Sequence, residues 1–243
     1  RDEWAVSITG WSKYVWDFER HTTQNIFGRY ISYGAMQIVG SGDPVTQADS
    51  GYAEAGWDWS RWPGTTAINL PLEKLVDPDE DRNRCFSDEP FVGGVSHQDQ
   101  NGLFAMCLHD TVFNASFRAK KTAFFFDDVM VCLETGIEND DAAHPTETIL
   151  FQGHLKHESQ PVWVNGLERS TFPHTEKFST GGWLLDVHGT GYWVPENQVI
   201  NVSKKRQHSR NNTGSRTTEG DFASAWIDHG CAPADASYVY AAV

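Results

Sequence analysis

The sequence predicts an all-β protein, one large antiparallel β-sandwich, and three observations carry that prediction. Short alternating or apolar runs recur from end to end, turn residues separate them, and no segment keeps a helical period over three turns. Ten Trp, seven Tyr and fourteen Phe stand against three Met, a composition that suits pleated, half-buried strands better than a helical bundle. With 243 residues the chain can bury a real core, and no repeat or low-complexity linker divides it, so one domain is expected.

In chain order, strands are expected over 4–9, 14–18 and 30–39, then 103–108, 115–126, 129–134 and 148–151. The series continues over 161–164, 183–187, 191–194, 199–202, 222–227 and 237–243. Asn165-Gly166 after Val162-Trp163-Val164 is a strong two-residue hairpin signal. Asp127-Asp128 and Gly189-Thr190-Gly191 also read as reversals. Longer connections are expected over 40–64, 71–102 and 203–221. The charged stretch 77–84 reads as a solvated loop. Lys204, Lys205, Arg206, Arg210 and Arg216 occur in 203–216 with no acid among them, a local reversal of sign suited to sulfate or carboxylate, or simply an exposed basic loop.

Composition also excludes. A formal charge of −14 gives nucleic acid and anionic membrane no overall attraction, so any polyanion must meet a local basic patch. No apolar run approaches the roughly 18 residues of a membrane span, and no signal peptide opens the sequence. Cys85, Cys107, Cys132 and Cys231 form no CxxC pair, which argues against a metal or redox site. The start at Arg1 without Met and the apolar finish over 237–243 lead us to expect a piece of a longer protein.

Two stretches concentrate functional residue types. Between the expected strands 14–18 and 30–39 lies a polar connection, Glu19, Arg20, His21, Thr22, Thr23, Gln24 and Asn25, able to present an acid, a base and hydrogen-bonding groups from a rigid frame. A solvated turn is the alternative. Trp57, Asp58, Trp59, Arg61 and Trp62 before Pro63-Gly64 make a turn with aromatic faces and one fixed cation, able to stack on sugar rings or, equally, to line a core corner.

Together with other stretches these resemble polysaccharide lyase family 8, and within it the chondroitin sulfate ABC lyases. The carrying residues are Gly28-Arg-Tyr with Ser32 and Gly34, Gly56-Trp-Asp-Trp with Arg61, Gly64 and Thr66, Leu70-Pro-Leu72, and Ala119-Lys-Lys121. Further along come Glu147-Thr with Leu150-Phe-Gln152, Trp163 with Asn165-Gly166, Thr218-Glu-Gly with Phe222, Ser224-Ala-Trp-Ile-Asp-His229, and Asp235-Ala-Ser-Tyr with Tyr240. They run almost the full length in one order.

The resemblance implies that 1–243 is most of a central β-sandwich of the galactose-mutarotase-like supersandwich type, cut at both ends. A helical toroid domain is expected upstream and a further β domain downstream. It implies cleavage of glycosaminoglycans by β-elimination at the uronic acid, on chondroitin and dermatan sulfates with hyaluronan as a further substrate, by a secreted or periplasmic enzyme. No cofactor is expected, and divalent-cation dependence is left open. In this family the His, Tyr and Arg of the catalytic group lie in motifs of the helical domain that do not occur here. The fourth member is a Glu ten residues before the Gly-Arg-Tyr arginine, the place of Glu19 relative to Arg29. An Asn three residues after that Glu is common in the family, and here the position is Thr22. Trp57, Trp59 and Arg61 are the expected wall of the substrate cleft or of the domain interface beside it. The rival readings are a carbohydrate-binding or structural sandwich without turnover, and a glycosidase, for which Glu19 with Asp17 or Asp58 would have to flank the bond.

Overall fold

The structure is a computed structural model that describes residues 4–21, 23–39, 50–98 and 100–243. Sixteen strands fill it. They are β1 (Ala5–Ile8), β2 (Met36–Val39), β3 (Thr66–Ile68), β4 (Val92–His97), β5 (Asn101–His109), β6 (Arg118–Phe126), β7 (Val129–Glu138) and β8 (Pro145–His154). After them come β9 (Val162–Val164), β10 (Leu167–Arg169), β11 (His174–Phe178), β12 (Gly182–Leu185), β13 (Gly191–Val194), β14 (Val199–Arg210), β15 (Thr217–Cys231) and β16 (Ala236–Ala242).

A nine-stranded sheet in the order β10-β9-β12-β13-β16-β7-β6-β5-β4 faces a five-stranded sheet in the order β11-β14-β15-β8-β3, and β1 pairs β2 beside them. Every pairing is antiparallel, as expected of the sandwich class. Side chains meet across the two sheets: the Phe151 ring of β8 lies 5.5 Å from that of Tyr192 on β13. The Asn165-Gly166 hairpin forms as the sequence indicates, with Val164 opposite Leu167 and both turn residues at positive φ (52° and 75°).

Three expectations are corrected. Residues 14–18 form no strand: the Ser12 hydroxyl accepts the N–H groups of Tyr14 (3.1 Å) and Val15 (3.2 Å) and turns the chain. Of 30–39 only β2 is strand, since a single 3-10 turn at Gly28–Tyr30 and the bends after it consume the first half. The region 203–221 is largely a hairpin, because β14 and β15 pair from Val199–Asp228 out to Arg210–Thr217. Three of its cations are engaged within the chain: Lys204 donates to the Arg169 carbonyl at 3.0 Å, Arg206 grips Asp221 through two bonds of 2.9 and 3.1 Å, and Arg210 donates to the Gly214 carbonyl at 2.8 Å. Residues 40–49 and Thr22 lie outside the described residues. No helix among the described residues is long and apolar enough to cross a membrane.

One charged pair sits at the centre of the sandwich. Lys121 on β6 and Glu134 on β7, both side chains fully buried, approach to 3.1 Å. The Lys121 ammonium also donates to the Gly64 carbonyl (2.7 Å) and the Tyr238 hydroxyl (2.9 Å). Thr66 donates to Glu134, so the contact of 2.8 Å between Thr66 and Thr148 requires Thr148 as donor. His229 Nε2–H must then donate to Thr148 at 2.8 Å. Burial keeps that imidazole neutral, its pKa pulled down to about 4. The chain of donors runs from β15 to β7 and locks the two sheets in register.

Candidate functional site

The Glu19 segment is held by backbone bonds instead of by a strand end. Lys13 N–H donates to Glu89 (2.8 Å), Asp17 N–H to Cys85 (3.0 Å) and Arg20 N–H to Asn83 (2.9 Å), so residues 13–20 run beside 83–89. The Asp17 carboxylate returns the bond, accepting Cys85 N–H at 2.9 Å. Phe18 and Arg20 on either side of Glu19 are buried, while 64% of the Glu19 side chain is exposed. Its carboxylate therefore stands in solvent on a fixed base, with Arg84 at 3.7 Å.

Asp17 is 7% exposed, and that burial raises its pKa from 3.8 to about 6 against the pull of the Cys85 bonds. A carboxyl whose folded pKa is raised stabilises the fold while protonated. Its contribution is complete below 3.8 and is lost as pH rises through about 6. Asp17→Asn keeps an acceptor for Cys85 and removes the titration. We expect unfolding titrations between pH 4 and 7 to lose a stability decline of up to about 2–3 kcal/mol; an unchanged pH profile contradicts this.

After Arg20 the chain makes a tight turn, with His21 N–H to Asn25 at 3.0 Å and Asn25 N–H back to His21 at 2.8 Å. Ile26 N–H then bonds Asn212, at the tip of the β14–β15 hairpin, at 2.9 Å. The Trp-rich turn arrives from the other side. Gly56 sits at φ 85°, and a Cβ there would stand 2.3 Å from the Gly220 nitrogen, so only glycine lets this turn press on β15. Gln152 holds the next residues, accepting Asp58 N–H (3.0 Å) and donating to the Arg61 carbonyl (2.8 Å).

These segments meet around one cavity of about 340 Å³, lined by Trp57, Trp59, Trp62 and Tyr52 with the amides of Asn25 and Asn212. Tyr52 and Trp62 stack at 6.2 Å with planes 13° apart, Trp57 closes on Tyr52 at 4.9 Å, and Trp59 lies against Phe27 at 5.6 Å. The indole N–H of Trp59 donates to the Arg210 carbonyl (2.8 Å), which fixes its plane. Trp57 and Trp59 are 2% and 3% exposed and belong to the hydrophobic core, the core corner that the sequence left open as their alternative, whereas Tyr52 and Trp62 are only half-buried and are the rings a sugar face can reach. The volume lies in the range of small-molecule sites. Asn25 and Trp62 fall within the two stretches that the sequence marks, whereas Tyr52 and Asn212 do not. Tyr52 lies five residues before Trp57 and could have been read with that turn; Asn212 could not.

Arg61 stands behind this wall. Its guanidinium bonds Glu147 through Nε (2.8 Å) and Nη2 (3.0 Å) and Asp58 through Nη1 (3.1 Å), and it lies 4.0 Å over the Trp226 ring. The side chain is 10% exposed, so its charge serves the turn, not a solute. Burial pushes the Glu147 carboxyl up against the pull of Arg61, and without Arg61 it keeps the Asn69 amide (3.0 Å) but loses the cation bonded to it. We expect Arg61→Ala to cost about 3 kcal/mol in urea unfolding, with Arg61→Lys recovering only part because a lysine cannot make the fork. A loss below about 1 kcal/mol contradicts the strut role.

Asp88, Glu89 and His109 offer ligand atoms within 4.8 Å of one another. His109 is already committed at both nitrogens, to Asp88 (2.5 Å) and the Ala115 carbonyl (3.0 Å), and Glu89 pairs Arg118 at 3.3 Å. All four cysteines are free thiols.

Comparison with known proteins bears on this arrangement. The model of polysaccharide lyase family 8, super-sandwich domain, matches residues 1–243. The chain is 37% identical over 254 residues to a chondroitin sulfate ABC exolyase of Bacteroides thetaiotaomicron, covering 99% of this chain and 24% of that protein. It is 35% identical over 239 residues to a chondroitin sulfate ABC endolyase of Proteus vulgaris, covering 97% and 23%. A solved chondroitinase AC lyase superposes with TM-score 0.82 at 28% identity, over the whole of this chain and 34% of that one. The chain thus spans about a quarter of the length of the curated ABC lyases it matches.

Proposed function

The chain belongs to polysaccharide lyase family 8 as its super-sandwich domain, and from that premise we propose that it is the central sandwich of a glycosaminoglycan lyase acting on chondroitin and dermatan sulfates, with hyaluronan as a further substrate. The observation that carries the reading beyond family membership is the cavity edged by the stacked pair Tyr52 and Trp62 over the buried Trp57 and Trp59, with Asn25 of the segment that follows Glu19 in its lining. The enzyme acts outside the cytoplasm, where its polymeric substrate lies.

In β-elimination a base removes the C5 proton of the uronate, the C4–O4 bond breaks, a C4=C5 double bond forms, and the departing O4 takes a proton. The C5 proton is hard to remove because the neighbouring carboxylate is already charged, so the site must stabilise an enolate-like dianion. On this reading a helical domain of the same protein supplies the Tyr that moves the protons, with a His and an Arg that neutralise charge. Glu19 projects toward them and holds that cation in line. The aromatic wall orients the sugar rings, and Arg61 with Glu147 and Gln152 keeps the wall rigid from behind.

Incubation of the full-length protein with chondroitin sulfate tests the proposal. Growth of the ultraviolet absorbance of a 4,5-unsaturated uronate supports it. Binding without cleavage supports the alternative of a carbohydrate-binding sandwich, for which the aromatic cavity would suffice. Residues 1–243 alone are expected to give no unsaturated product, because they carry one of the four catalytic groups; clear product from them would move the chemistry into this chain.

A further inference from the structure

We propose that Arg84, stacked on Trp16, is a substrate-contacting residue that takes an oxyanion of the polysaccharide, a sulfate ester or a uronate carboxylate, beside Glu19. The proposal rests on the lyase reading above and names a recognition group for the same site. Its guanidinium lies 4.6 Å over the Trp16 ring, and its Nη2 stands 3.7 Å from Glu19. That distance is beyond a hydrogen bond, and both side chains are well exposed, 45% for Arg84 and 64% for Glu19. The pair is loose. By contrast Arg61, Arg82, Arg169 and Arg206 each bond a carboxylate at 2.8 to 3.1 Å.

The position is built, although the contact is open. Backbone bonds on both sides of Arg84, Arg20 N–H to Asn83 and Cys85 N–H to the buried Asp17 carboxylate, fix the segment that carries it. The guanidinium rests over the ring and makes no hydrogen bond among the described residues, which leaves open the N–H fork that matches sulfate and carboxylate. Trp16 is 45% exposed and Tyr14 is 71% exposed, with the Lys13 ammonium 4.9 Å over the Tyr14 ring. Arg84 and Lys13, each standing over an exposed ring, are two accessible cations on a chain of charge −14, and an exposed cation fixed over a ring is where a polyanion repelled by the whole can be held.

The test uses the full-length enzyme and the variants Arg84→Gln and Arg84→Lys, with thermal unfolding to confirm the fold. On chondroitin sulfate, Arg84→Gln should raise KM about tenfold or more while kcat changes by less than about threefold, the size of one lost charge-assisted bond. Arg84→Lys should recover part of that loss. Chemically desulfated chondroitin separates the two anions: if the Arg84→Gln effect vanishes on it, the sulfate is the ligand, and if the effect persists, the carboxylate is. KM within twofold of wild type on both polymers overturns the proposal, as does a loss confined to kcat, which would make Arg84 a positioning partner of Glu19. Calorimetric binding of chondroitin sulfate gives a readout independent of turnover. A wild-type enzyme that binds but makes no unsaturated product overturns the lyase reading alone, and Arg84→Gln should still weaken its binding about tenfold.

Discussion

Replacing Glu19 by Gln in the full-length enzyme should lower turnover by roughly two orders of magnitude or more while substrate affinity changes little, the pattern of an interaction realised mainly in the transition state. The substitution keeps the shape, removes the charge and turns one acceptor oxygen into an NH2 donor. Its position makes the result clean: the side chain is 64% exposed and its backbone is held by the buried neighbours Phe18 and Arg20, so the fold should not respond. The proposal also accounts for the looseness of the observed contact. At 3.7 Å from Arg84, Glu19 spends little of its charge within the chain and remains available to a cation from outside it. Wild-type turnover in the variant would leave this chain as scaffold and binding wall.

Lys121→Met should produce the largest loss of stability, about 4–5 kcal/mol, at the upper end for breaking a buried pair. It removes the ammonium that serves Glu134, Gly64 and Tyr238 at once. The Glu134 carboxylate would keep one hydroxyl partner, Thr66, and its second oxygen has no hydrogen-bond partner among the described residues. The double variant Lys121→Met with Glu134→Leu should regain most of the loss, since well-packed apolar replacements of a buried pair are often neutral. Urea unfolding of the two variants measures this. Equal destabilisation in both would mean that the links to Gly64 and Tyr238, and not the charge pair, hold the sheets.

Local chemistry was legible in the sequence, and distant pairing was not. The Asn165-Gly166 hairpin follows from two residues whose positive φ the turn requires. The apolar runs of β5, β6, β7 and β8 announced themselves by composition. β3 and β11 are short or polar edge strands of the five-stranded sheet, and nothing local distinguishes Thr66–Ile68 or His174–Phe178 from loop. Lys204 and Arg206 read as parts of a basic loop because their partners, the Arg169 carbonyl and Asp221, lie 35 and 15 residues away. Tyr14 to Phe18 alternates like a strand, yet the Ser12 turn and the run beside 83–89 decide its path.

The site divides the same way. Aromatic density marked Trp57 and Trp59, and both border the cavity, but as core residues 2% and 3% exposed, the alternative that the sequence held equally open. Arg61 carried the same local signal but turned inward because Glu147, 86 residues on, offers a buried two-point partner. Glu19 was placed only through its spacing before Arg29 in the family resemblance; neither burial nor bonding inside this chain singles it out.

The most direct measurement of the central claim is product analysis after the full-length enzyme digests chondroitin sulfate in heavy-oxygen water. β-elimination consumes no water, so the account predicts a 4,5-unsaturated uronate at each new non-reducing end and, in products reduced with borohydride at once so that the new anomeric hydroxyl has no time to exchange with solvent, no heavy oxygen. A saturated uronate, with one heavy oxygen gained per bond broken, would contradict it and identify a hydrolase.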